Sequence, residues 1–308
     1  MNKEKGYVIG IEGGGTKSVI AADSQGKVFY LQDFGALNIH SISKEALMTN
    51  LSGAFHQFAQ ESQRALSDCM GVCIGAAGID TEDDRLDMQS MLNQVDLSCA
   101  SLVVNDAEIA IKAGLGDQKG ILIIAGTGSI ALAKSEYGEI TRCGGWDYLV
   151  GDEGSGFWIA SEAIRQSLSQ YDETGLYSEL LRQLVEKTGD QGVDGLMNYV
   201  YQAPFNKKRI ASLARVVSQL DEEGDLDAGQ VIQKASEELS DLAVKMIRKM
   251  KWESEPFTIL IHGSVLTKNQ RIRETFQAKI ESMYSQATVK ILEVEASMGA
   301  IQYALQLK

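Results

Sequence analysis

The chain has 308 residues, 44% hydrophobic and 23% charged, a composition ordinary for a soluble globular protein. Single cores seldom grow past about 250–300 residues, so two domains are expected. Forty-two acidic against 29 basic side chains give a net charge of −13, which opposes contact with nucleic-acid backbones. No apolar run approaches the ~20 residues that span a bilayer, and no signal-peptide segment precedes the first apolar strand. Cys69, Cys73, Cys99 and Cys143 form no CxxC pair and read as reduced thiols, so the expected location is the cytoplasm, away from membranes.

In chain order, residues 7–11, 18–22 and 27–31 read as strands, with Ser24-Gln25-Gly26 as a turn. Leu47, Leu51, Phe55 and Phe58 recur at helical spacing and predict a helix over 43–62. The apolar runs 72–77 and 102–104 read as buried strands, each followed by a helix. Residues 121–125 and 130–133 are strands around Gly126-Thr127-Gly128-Ser129. From about 154 to 251 the pattern is mostly helical, with Trp158 and Trp252 assigned to packing there. A strand over 257–261 and helices over 269–283 and 298–307 complete the reading.

The glycine turn between strands near residue 13 and the one near 126 look like two copies of one device. Each opens a run of strands followed by helices, which implies two related α/β domains facing a central cleft. The expected division is 1–116 with the final helix 297–308 for one domain, and 117–296 for the other.

Glu12-Gly13-Gly14-Gly15-Thr16-Lys17 lies between two strands. Consecutive glycines let backbone N–H groups converge on an anion, and Thr16 adds a hydroxyl; a plain hairpin would need fewer glycines. A Walker A loop is excluded because the order Gly15-Thr16-Lys17-Ser18 runs into a strand rather than a helix. The dinucleotide G-x-G-x-x-G fingerprint fails for the same reason. Alone, Gly126-Thr127-Gly128-Ser129 is a weak signal; paired with the first turn it suggests two loops holding one polyphosphate.

These turns, with Asn105-Asp106-Ala107, Cys143-Gly144-Gly145-Trp146, Gly151-Asp152-Glu153-Gly154-Ser155 and Gly263-Ser264-Val265, form an ordered set. The set resembles the N-acetylglucosamine kinase family, in the BadF/BadG-type branch of the actin-like ATPase and sugar-kinase superfamily. The resemblance spans nearly the whole chain. It implies two ribonuclease-H-like domains that close on a sugar, with the final helix packed on the first domain. It places Gly13, Gly14, Gly15, Thr16, Lys17, Gly126, Thr127, Gly128 and Ser129 around the ATP phosphates. Gly263 and Ser264 would lie against the adenosine. Asn38, Gly145, Trp146 and Asp152 would contact the sugar, and Asp106 would be the catalytic base. Glu12, where many superfamily members carry Asp, agrees with this branch.

From the residues themselves, Asp106 follows an apolar strand at the end where α/β sites gather, and it could take a hydroxyl proton at an ordinary pKa near ~4. It could instead cap the helix after it. Asp152 has the same two readings, as a cap for a helix near residue 153 or as a hydroxyl acceptor. Trp146 could be core or a flat wall beside a sugar. Mg²⁺ would be held by the phosphates with Asp106 or Glu12. His40, His56 and His262 share no ligand spacing, so a zinc site is not expected.

The expected activity is ATP-dependent phosphorylation of an N-acetylated amino sugar, N-acetylglucosamine to its 6-phosphate. Its rivals are an N-acetylmuramic acid or glucosamine kinase, an activator ATPase of a 2-hydroxyacyl-CoA dehydratase, and a non-catalytic sugar sensor. The expected partners are a small sugar and, as relatives are often dimers, a second copy of the chain.

Overall fold

A computed structural model describes residues 6–14, 18–24, 26–189 and 191–307. It forms two compact units, Met1–Gln118 with Glu293–Lys308, and Lys119–Leu292. The first contains β1 (Tyr7–Gly13), β2 (Ser18–Ser24), β3 (Lys27–Gln32), α1 (Lys44–Ser62), β4 (Cys69–Ala76), α2 (Glu82–Leu92), β5 (Ala100–Asn105) and α3 (Asp106–Leu115). The second runs β6 (Gly120–Ala125), β7 (Ser129–Lys134), β8 (Ile140–Gly144), α4 (Gly156–Thr174), α5 (Glu179–Lys187), α6 (Gly192–Tyr201), α7 (Lys207–Ala211) and α8 (Ala214–Glu222). It continues through α9 (Leu226–Met250), β9 (Phe257–His262), α10 (Ser264–Lys268), α11 (Gln270–Met283) and β10 (Ala287–Ile291). The last helix, α12 (Ala296–Gln306), belongs to the first unit.

The sheets repeat one topology. Strand order is β3-β2-β1-β4-β5 in one and β10-β9-β6-β7-β8 in the other. Taken in order of appearance, both read 3-2-1-4-5, with the second strand antiparallel to the first and the fourth parallel to it. This is the repeat expected from the paired turns, in the ribonuclease-H-like arrangement that the family resemblance implies. The β8 and β10 strands were not anticipated. Both are short edge strands with polar or half-exposed residues, Ile140-Thr141-Arg142-Cys143-Gly144 and Ala287-Thr288-Val289-Lys290-Ile291, so neither shows the continuous apolar run of a central strand.

Helix signals were stronger. The Ser43 hydroxyl accepts from Ala46 N at 3.2 Å and caps α1, whose Leu47, Leu51, Phe55 and Phe58 are all buried. In the second unit Asp225 caps α9. Its Val231, Ile232, Ala235, Leu239, Leu242, Ala243, Met246 and Ile247 are buried at three- and four-residue spacing. At roughly 1.5–3 kcal/mol for each large aliphatic side chain, this stripe holds the helical layer on the second sheet.

In the first unit α12 lies against β1 and α3 at backbone distance. A Cβ on Gly10 of β1 would fall 2.5 Å from the Ile301 nitrogen, and one on Gly299 would overlap the Ile109 carbonyl oxygen. Those glycines are sites of closest approach, which bring the helix onto the strand that ends in the first glycine turn.

Candidate active site

In the first unit, the ends of three parallel strands come into line. Register pairs Gly13 with Ala76 and Ala76 with Asn105, so the residues that follow β1, β4 and β5 emerge at one edge. Leu37 N donates to Gly14 O at 3.1 Å and Ala77 N to Gly13 O at 2.9 Å, which draws the Asn38 loop and the β4–α2 loop to this edge. Gly15, Thr16 and Lys17 lie outside the described residues. Gly13 has a packing reason for lacking a side chain: its Cβ would sit 2.9 Å from Leu37 Cβ.

Asn38 Oδ1 accepts from His40 N at 2.9 Å, which leaves its Nδ2 without an acceptor among the described residues. Asn105, not Asp106, caps α3. Its Oδ1 accepts from Ala107 N at 2.9 Å, and its own N–H donates to Glu108 Oε1 at 3.2 Å. Asn105 Nδ2 also donates to Ile79 O at 3.0 Å and contacts Asp80 Oδ1 at 3.3 Å. Capping therefore does not explain Asp106, the first helical residue. Half-buried, it has a carboxyl held above the ordinary aspartate range by desolvation, with the Asp80 charge adding to it; hydrogen bonds from backbone amides only partly offset them. The ordinary value near ~4 expected from sequence is thus too low.

In the second unit, β6 ends at the turn Gly126-Thr127-Gly128, and β9, its parallel neighbour, ends beside it at His262, just ahead of Gly263. The turn is fastened from below. Gly156 N donates to Gly126 O at 2.8 Å and Phe157 N to Thr127 O at 3.3 Å, so the first N–H groups of α4 hold the turn's carbonyls. The Ser129 hydroxyl is buried and donates to Glu153 O at 2.8 Å, a brace for the same turn. Among the described residues, the N–H groups of Thr127 and Gly128 find no acceptor. They are the donors a phosphate would meet.

Gly126, Thr127 and Ser264 line one pocket of about 590 Å³ with Lys208, Arg215 and Lys268. No carboxylate pairs with those three cations among the described residues, and the single acidic side chain in the lining is Glu222. In a chain of net charge −13 this is a local concentration of positive charge. Gly263 begins α10 beside it with φ +86°. Sequence reasoning missed the three cations because they come from α7, α8 and α10, with no spacing rule joining them.

Gly126 is informative for what it lacks. A Cβ there would meet nothing within 4 Å, and its φ is one any residue adopts. Neither packing nor backbone strain requires glycine, whereas a ligand lying on the turn would. Gly126→Ala is expected to leave the melting temperature within about 2 °C while raising the KM for ATP about tenfold. Thermal unfolding and initial rates check both.

The sugar-contact candidates of this unit lie on the stretch after β8. Gly145 follows that strand at φ +69°. Trp146 is 62% exposed, so it is not core, and the Arg142 guanidinium sits 4.1 Å above its ring. A Cβ on Gly151 would lie 3.0 Å from Trp146 Cβ, which places the Trp146 backbone beside the residue preceding Asp152. Asp152 does not cap α4. The helix begins at Gly156 and is capped by Ser155, whose hydroxyl accepts from Trp158 N at 3.3 Å. Asp152 instead has left-handed backbone, φ +60°, and its carboxylate is buried against the turn, paired with Lys207 Nζ at 2.6 Å.

Two ribonuclease-H-like units, each with a glycine turn at the end of its first strand, define the ATPase and sugar-kinase class of fold. The chain belongs to the BadF/BadG/BcrA/BcrD ATPase family, whose profile matches residues 9–304. It is 30% identical over 296 residues to the N-acetylmuramic acid/N-acetylglucosamine kinase of Clostridium acetobutylicum, covering 96% of this chain and 97% of that one. It is 28% identical to the N-acetyl-D-glucosamine kinase of Dictyostelium discoideum over the full length of both. The fold also matches the crystal structure of a proposed N-acetylglucosamine kinase from Chromobacterium violaceum. That match has a TM-score of 0.75 at 21% identity and covers 99% of this chain and all of that one.

Proposed function

We propose that this protein transfers the γ-phosphoryl group of ATP to a hydroxyl of an N-acetylated amino sugar, N-acetylglucosamine to its 6-phosphate. The observation that carries the reading is the desolvated Asp106 carboxylate, at the strand end where family members keep their base. The kinase names of two full-length relatives support it. In this reading the second unit receives ATP along Gly126 and Thr127, with Lys208, Arg215 and Lys268 answering the phosphate charge. Asn38, Gly145, Trp146 and Asp152 hold the sugar.

Asp106 orients the acceptor hydroxyl as a hydrogen-bond acceptor. Its proton passes to the carboxylate as the sugar oxygen bonds to the γ-phosphorus and the bond to the β–γ bridging oxygen breaks. Burial strengthens Asp106 as a base, because a carboxylate that is costly to keep charged gains more from a proton. Glu12 and Asp106 offer the hard oxygen donors that suit Mg²⁺. Among the described residues no group of three or more His, Cys, Asp or Glu gathers as a metal cage. Bound with the nucleotide, the ion would neutralise charge on the β and γ oxygens. The four cysteines are unpaired, which supports a reducing, cytoplasmic setting. Among the described residues no helix is long and apolar enough to cross a membrane.

The test is ATP-dependent phosphorylation across N-acetylglucosamine, N-acetylmuramic acid, glucosamine and glucose. An N-acetylated sugar should exceed glucosamine and glucose in kcat/KM by about tenfold or more, the usual worth of one recognised substituent. ATP hydrolysis indifferent to every sugar would overturn the proposal.

A further inference from the structure

Lys207 has no counterpart among the residues expected from sequence, yet it sits at the centre of the second unit's site. Its ammonium forms an ion pair with Asp152 Oδ2 at 2.6 Å and a second with Asp147. The two partners differ sharply. Asp152 keeps 5% of its side chain exposed, while Asp147 keeps 66%. The cation is therefore indispensable only to Asp152, whose charge has no solvent to fall back on.

The pair is pressed against the glycine turn. A Cβ at residue 128 would overlap Asp152 Oδ2 and fall 3.2 Å from Lys207 Nζ. Gly128 is thus the notch that lets carboxylate and ammonium lie beside the turn. Lys207 opens the short helix α7, and the next residue, Lys208, lines the pocket that contains Gly126 and Thr127. One end of α7 therefore touches both that pocket and the carboxylate assigned to the sugar. The Tyr148 ring lies 5.8 Å from the ammonium and stacks on Phe205, 4.9 Å between centroids, which limits where Lys207 can move.

We propose that Lys207 is a positioning residue that fixes the Asp152 carboxylate by one oxygen, against the Gly128 notch, so that the other oxygen is presented to a sugar hydroxyl. The inference rests on Asp152 as a sugar acceptor. Without Lys207, a buried carboxylate beside a glycine turn has no compensating charge and turns toward solvent. The loss falls on sugar binding rather than on phosphoryl transfer, because Lys207 acts through the carboxylate assigned to the sugar and not through the assigned base.

Steady-state kinetics on the full chain, with N-acetylglucosamine and ATP varied separately, test this. Lys207→Met should raise the sugar KM about tenfold, with kcat and the ATP KM changed by less than about threefold. Lys207→Arg should recover part of the loss, and Asp147→Asn, which leaves the buried pair intact, should keep the sugar KM within about twofold of the parent. In a Lys207→Met, Asp152→Asn double variant the sugar KM should be no worse than in Asp152→Asn alone, since the two act through one contact. If Asp152→Asn raises the sugar KM and Lys207→Met does not, the positioning role falls while the sugar site stands. If Asp152→Asn has no effect, the sugar assignment of Asp152 falls first. Equal losses in sugar KM, ATP KM and melting temperature would make Lys207 a structural residue and overturn the inference. Should Lys207→Met fail to fold, Lys207→Arg is read in both backgrounds: a rise in sugar KM in the parent that vanishes on top of Asp152→Asn is expected, and an equal rise in both would overturn the inference.

Discussion

Asp106→Asn is expected to lower kcat by about 10²–10⁴-fold, the usual contribution of a positioned general base, while ATP affinity stays within about threefold. The amide is isosteric and cannot accept the hydroxyl proton. Asn105 continues to cap α3, so the helix start is preserved. The same variant should be at least as stable as the parent at neutral pH. The sign follows from linkage. An aspartate whose folded pKa lies above its unfolded value contributes stability in full only below the unfolded value, and that contribution is lost as pH rises through the folded one. At pH 7 the charged Asp106, desolvated and near Asp80, is therefore a destabilising group that asparagine removes. A melting temperature unchanged or raised, with turnover abolished, separates a catalytic group from a structural one. Full turnover in this variant would remove Asp106 as the base.

Gly299→Ala is expected to be the most damaging single methyl addition in the first unit. Alanine in a helix interior is ordinarily favoured over glycine by roughly 1 kcal/mol. Here the new Cβ would overlap the Ile109 carbonyl oxygen and fall 2.7 Å from Ala113 N. Both are backbone atoms of a packed helix, so neither yields as a side-chain end would. Overpacking of this kind costs about 3 kcal/mol or more and outweighs the helical preference. A fall in melting temperature of about 10 °C is the expected reading for a domain of this size. A change under about 2 °C would mean that α12 can slide off α3 without loss.

Much of this arrangement was legible in the order of residues. The apolar runs that became β1, β4, β5, β6 and β9 read as strands, and the spacing of Leu47, Leu51, Phe55 and Phe58 announced α1. The paired glycine turns predicted the repeat of topology, and the motif order pointed to Asp106. Other features were hidden for physical reasons. Two residues ahead of α4, Asp152 and Ser155, both look like caps, and sequence cannot show that Asp152 adopts a left-handed φ, outside the extended backbone a cap needs. Similarly, Asn105 and Asp106 are both good caps, and the choice depends on Glu108 reaching back to the Asn105 amide. Lys207 meets Asp152 across 55 residues of chain, a pairing that no local pattern encodes.

The first unit is assembled from two stretches of chain with the whole of the second unit between them. On the ribosome, the strands of the first sheet are made early, but the helix that seats in the recesses at Gly10 and Gly71 is made only after Leu292. The second unit, continuous in sequence, can reach its native state while the first still waits with an apolar face uncovered. A nascent chain stalled short of α12 would therefore carry one finished unit and one adhesive one. The cell's means of shielding that face during synthesis would then set the yield of folded protein more than the final stability does.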